Sequence, residues 1–158
     1  MEASRAATSD DIPRLVELAR LMRTELAPMK GGELWAAREA RPEPLEESYA
    51  ALVHRDDTCV VVGTVDDAVV GFGVVVVEEL RSGDRLGVVT DLFVEPGARG
   101  VGVGEAMTGE LLSYCDAGDC VGVDSLALPG HRAAKNFFEE SGFTARAIVM
   151  HRPKRERE

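Results

Sequence analysis

Gly100, Gly102 and Gly104 alternate with Val101 and Val103 directly after Arg99. An apolar run, Val88-Val89 and then Leu92 to Val94, leads into them through Glu95-Pro96-Gly97. Beyond Gly104 the spacing turns helical, with Met107, Leu111 and Tyr114 on one face. A strand, a glycine turn and a helix start together make an anion site. The first amides of a helix lack internal partners and carry roughly half a positive charge between them. Glycine lets a ligand come close to them. The chemistry on offer is recognition of a phosphate or diphosphate. A nucleoside triphosphate is disfavoured, because a Walker loop needs lysine where Glu105 stands. The dinucleotide fingerprint G-x-G-x-x-G fails too, ending on Glu105 when counted from Gly100 and on Met107 from Gly102. What fits is Arg99-x-x-Gly102-x-Gly104, and the bland use of such a turn is tight βα packing. Two carboxylates, Asp91 and Glu95, stand at the end of the same strand, where a carboxylate can take a proton from a reacting group.

Other elements must hold these residues in place. Ser4 to Ala7 suits a short first strand. A helix follows from Ser9 to Leu26, with Ser9 and Asp10 as capping residues, Pro13 in the first turn, and Ile12, Leu15, Val16, Ala19, Met22 and Leu26 at helical spacing. Pro28 and Gly31-Gly32 interrupt it. A weaker helical region runs from Glu33 through Val53, broken near Arg41-Pro42-Glu43-Pro44, and carries Trp35 and Tyr49 among acids. It reads as a flap over an acceptor or, alternatively, as a solvated helix pair with a core-facing aromatic. Thr58 to Val65 and Val69 to Leu80 are valine-rich and turn at Asp66-Asp67, as an antiparallel hairpin does. Gly71 and Gly73 mark a bulge or a close backbone approach. Leu86 to Val94 is the next strand. Cys120 to Leu128 follows the glycine-turn helix and should pair with it in parallel. A last helix spans His131 to Ser141, stopped by Gly142. Phe143 to Met150 is expected as the final strand, and Arg152 to Glu158 as a frayed, charged tail.

The chain has 158 residues, enough for one domain with a real core. Residues 1–152 read as that domain and 153–158 as its tail. Its formal net charge of −10 disfavours nucleic acid as a partner and favours a cationic one, although acidity also serves solubility alone. No apolar run suits a membrane span, and Met1 to Arg5 opens no signal peptide. Cys59, Cys115 and Cys120 are odd in number and lack zinc-finger spacing. They read as reduced thiols of a cytoplasmic protein, with no metal.

The Arg99-x-x-Gly102-x-Gly104 turn resembles the pyrophosphate motif of the GNAT superfamily of N-acetyltransferases, which bind acetyl-coenzyme A. The segment Leu128 to Phe143, LPGHRAAKNFFEESGF, resembles the family pattern Asn-x-x-Ala-x-x-Phe-Tyr-x-x-x-Gly-Phe, with Ala134, Phe137, Gly142 and Phe143 in register. The resemblance covers essentially the whole chain. It implies a mixed α/β fold, a six- or seven-stranded mixed sheet flanked by about four helices and splayed between the fourth and fifth strands. It also implies that the pantetheine arm of acetyl-coenzyme A lies in the splay against Leu92, Phe93 and Val94. The diphosphate then meets Arg99, Gly100, Val101, Gly102, Val103 and Gly104, and the cofactor also touches His131, Ala134, Phe137 and Phe138. Two family positions are substituted: the asparagine is His131, and the tyrosine that often protonates the departing thiolate is Phe138.

Direct acetyl transfer to a primary amine of a small molecule or peptide is the activity implied, with a homodimer compatible with it. An amine with a pKa of about 10.4 is almost wholly protonated at neutral pH, so a base is needed. Asp91 is the first candidate and Glu95 the second. The thiolate leaves at a pKa near 8.5 without a strong acid. Water, His131 or Tyr114 could protonate it. Amides near Phe93 and Val94 would polarise the thioester carbonyl. Specificity would come from Thr24 to Arg55 and the loop near Arg81 to Arg85. The competing reading is a non-catalytic acyl-coenzyme A-binding or regulatory module of the same fold.

Overall fold

The computed structural model describes residues 1–156; the last two positions of the expected tail, 157 and 158, lie outside the described residues. Strand β1 (Glu2–Ala6) leads through a single 3-10 turn, Ser9–Asp11, into α1 (Ile12–Leu26). The weak helical region resolves into α2 (Gly32–Arg38) and α3 (Leu45–Val53), with a cis Glu43-Pro44 peptide between them. Then come β2 (Thr58–Val65), β3 (Ala68–Glu79), β4 (Arg85–Val94), α4 (Val103–Ala117), β5 (Cys120–Ser125) and α5 (Arg132–Glu140). Among the described residues no helix is long and apolar enough to cross a membrane.

The strands form one mixed sheet in the order β1-β2-β3-β4-β5, antiparallel except for the parallel pair β4 and β5. Alternation along each strand gives the sheet two apolar faces. Val60, Val62, Phe72, Val74 and Phe93 meet Leu15, Leu18, Met22, Trp35, Tyr49 and Leu52 of α1, α2 and α3. Val61, Val75 and Val89 meet Val103, Met107, Leu111 and Cys115 of α4 on the other face. The β2–β3 turn places Asp66 and Asp67 at φ of +49° and +70°, the left-handed geometry that matches strand twist in a two-residue hairpin. Gly63 explains how α4 sits so low: a Cβ there would stand 2.4 Å from Cγ1 of Val103 and 2.9 Å from Sδ of Met107.

One irregularity organises the functional end. Val75 pairs with Val89 but Val74 pairs with Asp91, so Thr90 is a surplus residue, a β-bulge in β4. The bulge reverses the strand's alternation. Val89 faces α4, and Asp91 and Phe93 face the α1–α3 side instead. Pairing with β5 ends there as well, the last pair being Val89 with Ser125. Beyond it Thr90 to Val94 have no β5 neighbour, and the sheet opens between its fourth and fifth strands.

Three expectations are corrected. The sheet has five strands among the described residues rather than six or seven. Five α-helices flank it rather than about four, because the break at residues 39–44 is complete. The segment expected as the final strand, Phe143 to Met150, has strand-like composition but no strand structure. A strand needs a ladder partner, and a groove separates this segment from β5.

Candidate active site

The glycine turn closes one end of a cleft. Gly100 and Gly102 take φ of +83° and +96°, a conformation that side chains with a Cβ adopt at a cost, and Gly102 caps α4. The first amide of the run with a backbone partner is that of Ala106, which donates to the carbonyl of Gly102 across 3.0 Å. Among the described residues, the amides of Gly100 to Glu105 donate to no protein acceptor. They form an open donor set at the positive end of α4.

From this turn a cleft of about 260 Å³ runs between the unpaired end of β4 and α5. Leu92, Phe93 and Val94 form one wall and Ala134, Phe137 and Phe138 the other, with Arg99 and His131 at the rim. Of the residues expected around a cofactor only Val101 does not line it; its side chain is exposed. Ala98, Glu105 and Ala133 line it too. No residue of α5 is fully buried, so the apolar stripe of this helix faces the cleft rather than a packed core.

The Gly-Phe that ends the second motif has a local cause. Gly142, at φ +93°, donates to the carbonyl of Glu139 (3.1 Å), and Phe143 donates to that of Phe138 (2.9 Å). The rings of Phe138 and Phe143 meet edge to face at 5.1 Å, the apolar contact that accompanies such a helix stop. Phe137 packs on Phe138 at 5.5 Å. The aromatic at position 138 thus braces the helix end as well as lining the cleft.

Arg99 is not a free cation. Its Nε donates to the carbonyl of Val94 (2.8 Å), its Nη1 and Nη2 grip the two carboxylate oxygens of Glu25 (3.0 and 2.6 Å), and the guanidinium lies 5.4 Å from the centre of the Phe93 ring. The pair holds the Glu25 carboxyl below its usual range. Burial depresses the His131 imidazole, with Glu25 opposing and Arg99 adding to the effect. Glu25, in the last turn of α1, was invisible to a motif search, because its partner is 74 residues away.

The two carboxylates proposed as bases sit outside the cleft lining. Asp91 is buried: Oδ2 accepts from Tyr49 Oη (2.7 Å) and Oδ1 from Thr90 Oγ1 (2.7 Å), with Arg41 Nε at 3.4 Å. Arg41 Nη2 also donates to Thr90 Oγ1 (2.5 Å). Burial and the adjacent Asp91 carboxylate push the Tyr49 hydroxyl far above its usual pKa. Glu95 is half-buried and accepts from Arg14 Nη2 (2.9 Å). Tyr114 lies near the far end of α4, donating to the carbonyl of Asp56 (2.7 Å), and does not line the cleft. Trp35 and Tyr49 are both buried in the core, so α2 and α3 are packed helices rather than a loose flap.

The comparisons with known proteins agree with this geometry. A family model described as the acetyltransferase (GNAT) family matches residues 19–143. No curated protein sequence matches the chain. Among solved structures, a tetramutant of the BH1408 protein from Bacillus halodurans is similar with a TM-score of 0.81 at 20% identity, covering 96% of this chain and 99% of that one. An aminoglycoside acetyltransferase from an uncultured soil metagenomic sample, in complex with sisomicin, has a TM-score of 0.71 at 18% identity over 99% of this chain and 97% of its own. Glucosamine-6-phosphate N-acetyltransferase from Arabidopsis thaliana has 0.69 at 19% identity, over 97% and 98%. These likenesses speak for the fold, while the family model spans most of the chain and carries both motifs. The chain belongs to the GNAT acetyltransferase family.

Proposed function

We propose that this protein, a single domain over residues 1–152, is an acetyl-coenzyme A-dependent N-acetyltransferase acting directly on a primary amine of a small molecule or peptide. The observation that carries the reading is the open row of amides from Gly100 to Glu105 at the end of an apolar cleft. A diphosphate suits those donors, and an extended, mostly apolar arm suits the walls formed by Leu92 to Val94 and by α5. The unpaired β4 edge offers backbone groups to such an arm as a neighbouring strand would. Bound there, acetyl-coenzyme A supplies a thioester-activated acetyl group.

The protein's own contribution is positioning and proton handling. Amides of the opened β4 end, near Phe93 and Val94, stabilise charge developing on a carbonyl oxygen. The amine must shed a proton as its C–N bond forms, and the departing sulfur gains one as the C–S bond breaks. Asp91 is the first choice for the proton from the amine, reached through the exposed Thr90 hydroxyl that already donates to it. Glu95, held by Arg14, is the second. Phe138 has no proton to give, so the sulfur takes its proton from water or from His131, of which water is the better donor because burial disfavours the imidazolium form. The acidic chain favours a cationic acceptor.

A second reading, a non-catalytic acyl-coenzyme A-binding module, draws on one observation: neither carboxylate lines the cleft and Phe138 stands where an acid would be useful. Calorimetry with acetyl-coenzyme A, followed by an amine-library screen for released thiol with mass spectrometry of the product, separates the two. Absence of binding sinks both. Binding with no acetylated product across the library favours the module.

A further inference from the structure

The cleft has a direction. Its anion end is the glycine turn, and its β4 wall runs back from Val94 through Phe93 to Leu92. With a diphosphate on the amides, the thioester of the cofactor lies toward Leu92, next along the strand to Asp91 and Thr90. Thr90 is the surplus residue of the bulge, lies beyond the last pair of β4 with β5, and is exposed. The side chain standing on its hydroxyl is Arg41, from the break between α2 and α3.

Arg41 is engaged along one edge only. Nε lies 3.4 Å from Oδ1 of Asp91, and Nη2 donates to Oγ1 of Thr90 across 2.5 Å. Among the described residues, Nη1 donates to no protein acceptor. The remaining edge, Nη1 with the second hydrogen of Nη2, offers two parallel N–H groups at the spacing of carboxylate oxygens. The side chain is only 20% exposed, and a cation so enclosed is costly until its donors are taken up. Asp91 answers it weakly, because its Oδ1 already accepts from Thr90 and its Oδ2 from Tyr49. The neighbouring arginines are occupied. Arg20 grips both oxygens of Glu43 (2.8 and 3.4 Å), and Arg23 lies 3.7 Å from the same carboxylate. Arg23 Nη2 also donates to the carbonyl of Arg41 (2.9 Å), which fixes the backbone of a stretch that has no helix to hold it.

We propose that Arg41 determines specificity: the acceptor is an α- or β-amino acid whose carboxylate pairs with the Nη1–Nη2 edge while its amine faces the thioester. The inference rests on the acetyltransferase reading above and narrows its substrate class. Arg41 and Asp91, the candidate proton acceptor, meet on the one Thr90 hydroxyl. The acceptor's carboxylate and amine therefore stand only a few bonds apart. Such a zwitterion keeps the ammonium that a chain at −10 attracts, while the local fork answers its carboxylate.

Initial rates of thiol release from acetyl-coenzyme A test this on matched pairs: phenylalanine against phenethylamine, leucine against isoamylamine, β-alanine against ethylamine. In the pairs that turn over, the amino acid should exceed its decarboxylated partner in kcat/KM by about tenfold or more, carried by KM. Arg41→Gln should abolish that preference, and Arg41→Lys should restore part of it. Disturbed proton handling at Asp91 would slow both members of a pair alike, so the ratio between them reports the fork. Calorimetry with coenzyme A checks that each variant is folded, and if Arg41→Gln does not fold, the wild-type ratio and Arg41→Lys decide. Equal or reversed kcat/KM within the wild-type pairs, or a preference that survives Arg41→Gln, overturns the proposal and leaves the acetyltransferase reading standing. Coenzyme A binding with no acetylated product from any member overturns that reading, and this one with it.

Discussion

Tyr49 of α3 donates its hydroxyl to the buried carboxylate of Asp91 on β4 across 2.7 Å. This bond joins the helices of one face to the strand that opens the sheet. Removing the donor by Tyr49→Phe leaves one buried carboxylate oxygen without its partner. The expected loss is about 1–3 kcal/mol in chemical denaturation. Turnover should fall as well, because Thr90 and Arg41 are organised around the same carboxylate. Asp91→Asn should fold and reduce kcat more than KM; an unchanged kcat would assign the base role to Glu95.

Arg99 and Glu25 form a pair whose two members should act in opposite directions on the cofactor. Arg99→Ala removes a charged donor beside the amide row and should weaken coenzyme A binding by about 1.5–3 kcal/mol. Glu25→Gln leaves the guanidinium but loosens its anchor, so the arginine can turn toward a phosphate. Affinity should stay level or rise. Calorimetry on both variants checks the pair, and equal weakening by both would show that the guanidinium works only through Glu25.

Gly63 is where the sequence sets the depth of α4. A methyl group at that position overlaps Val103 and Met107, so Gly63→Ala should destabilise by about 1–3 kcal/mol. It should also weaken coenzyme A binding, since lifting the first turn of α4 moves its open amides. Thermal unfolding and calorimetry on the same preparation test the two effects together.

Much of this site was legible before the fold was known, and the reasons are local. The glycine turn and the stop at Gly142-Phe143 are short-range devices, in which residue type and backbone geometry are linked within a few positions. Their spacing therefore survives in the sequence. Glu25, Arg41 and Tyr49 were not legible as site residues. Each meets its partner only through long-range packing, at separations of 74, 50 and 42 residues. The bulge at Thr90 was hidden as well, because an extra residue in a strand shows only against the partner strand's register. The expected last strand failed for a related reason: Phe143 to Met150 has the right side chains, but β-structure depends on a neighbour the segment does not have within its own chain.

His131 gives the protein a pH signature on the acid side. Burial lowers its folded pKa below the ordinary value near 6.5. The unfolded chain then binds the proton first as pH falls below about 6.5, so stability declines with acidification in that window and is fully present above it. His131→Asn should flatten the decline below about pH 6.5 in denaturation midpoints. An unaltered slope would assign it to another group.

Phe138→Tyr tests whether a proton donor is missing from the cleft. Phe138 lines the cleft and contacts Phe137 and Phe143, so an added hydroxyl should leave the packing largely intact. Turnover should persist and can rise. A severe loss with normal unfolding behaviour would show that the site requires an apolar ring at this position.

A miscount of one lies behind the opening in the sheet. Excising Thr90 would bring β4 back into step with β3, leaving Asp91 opposite Val74 on the α1–α3 side but without the hydroxyl that donates to it. With that kink gone, β4 would have no local reason to part from β5 after Val89. Length, rather than any side chain, keeps the fissure from healing, and a chain one residue shorter should be sturdier and inert.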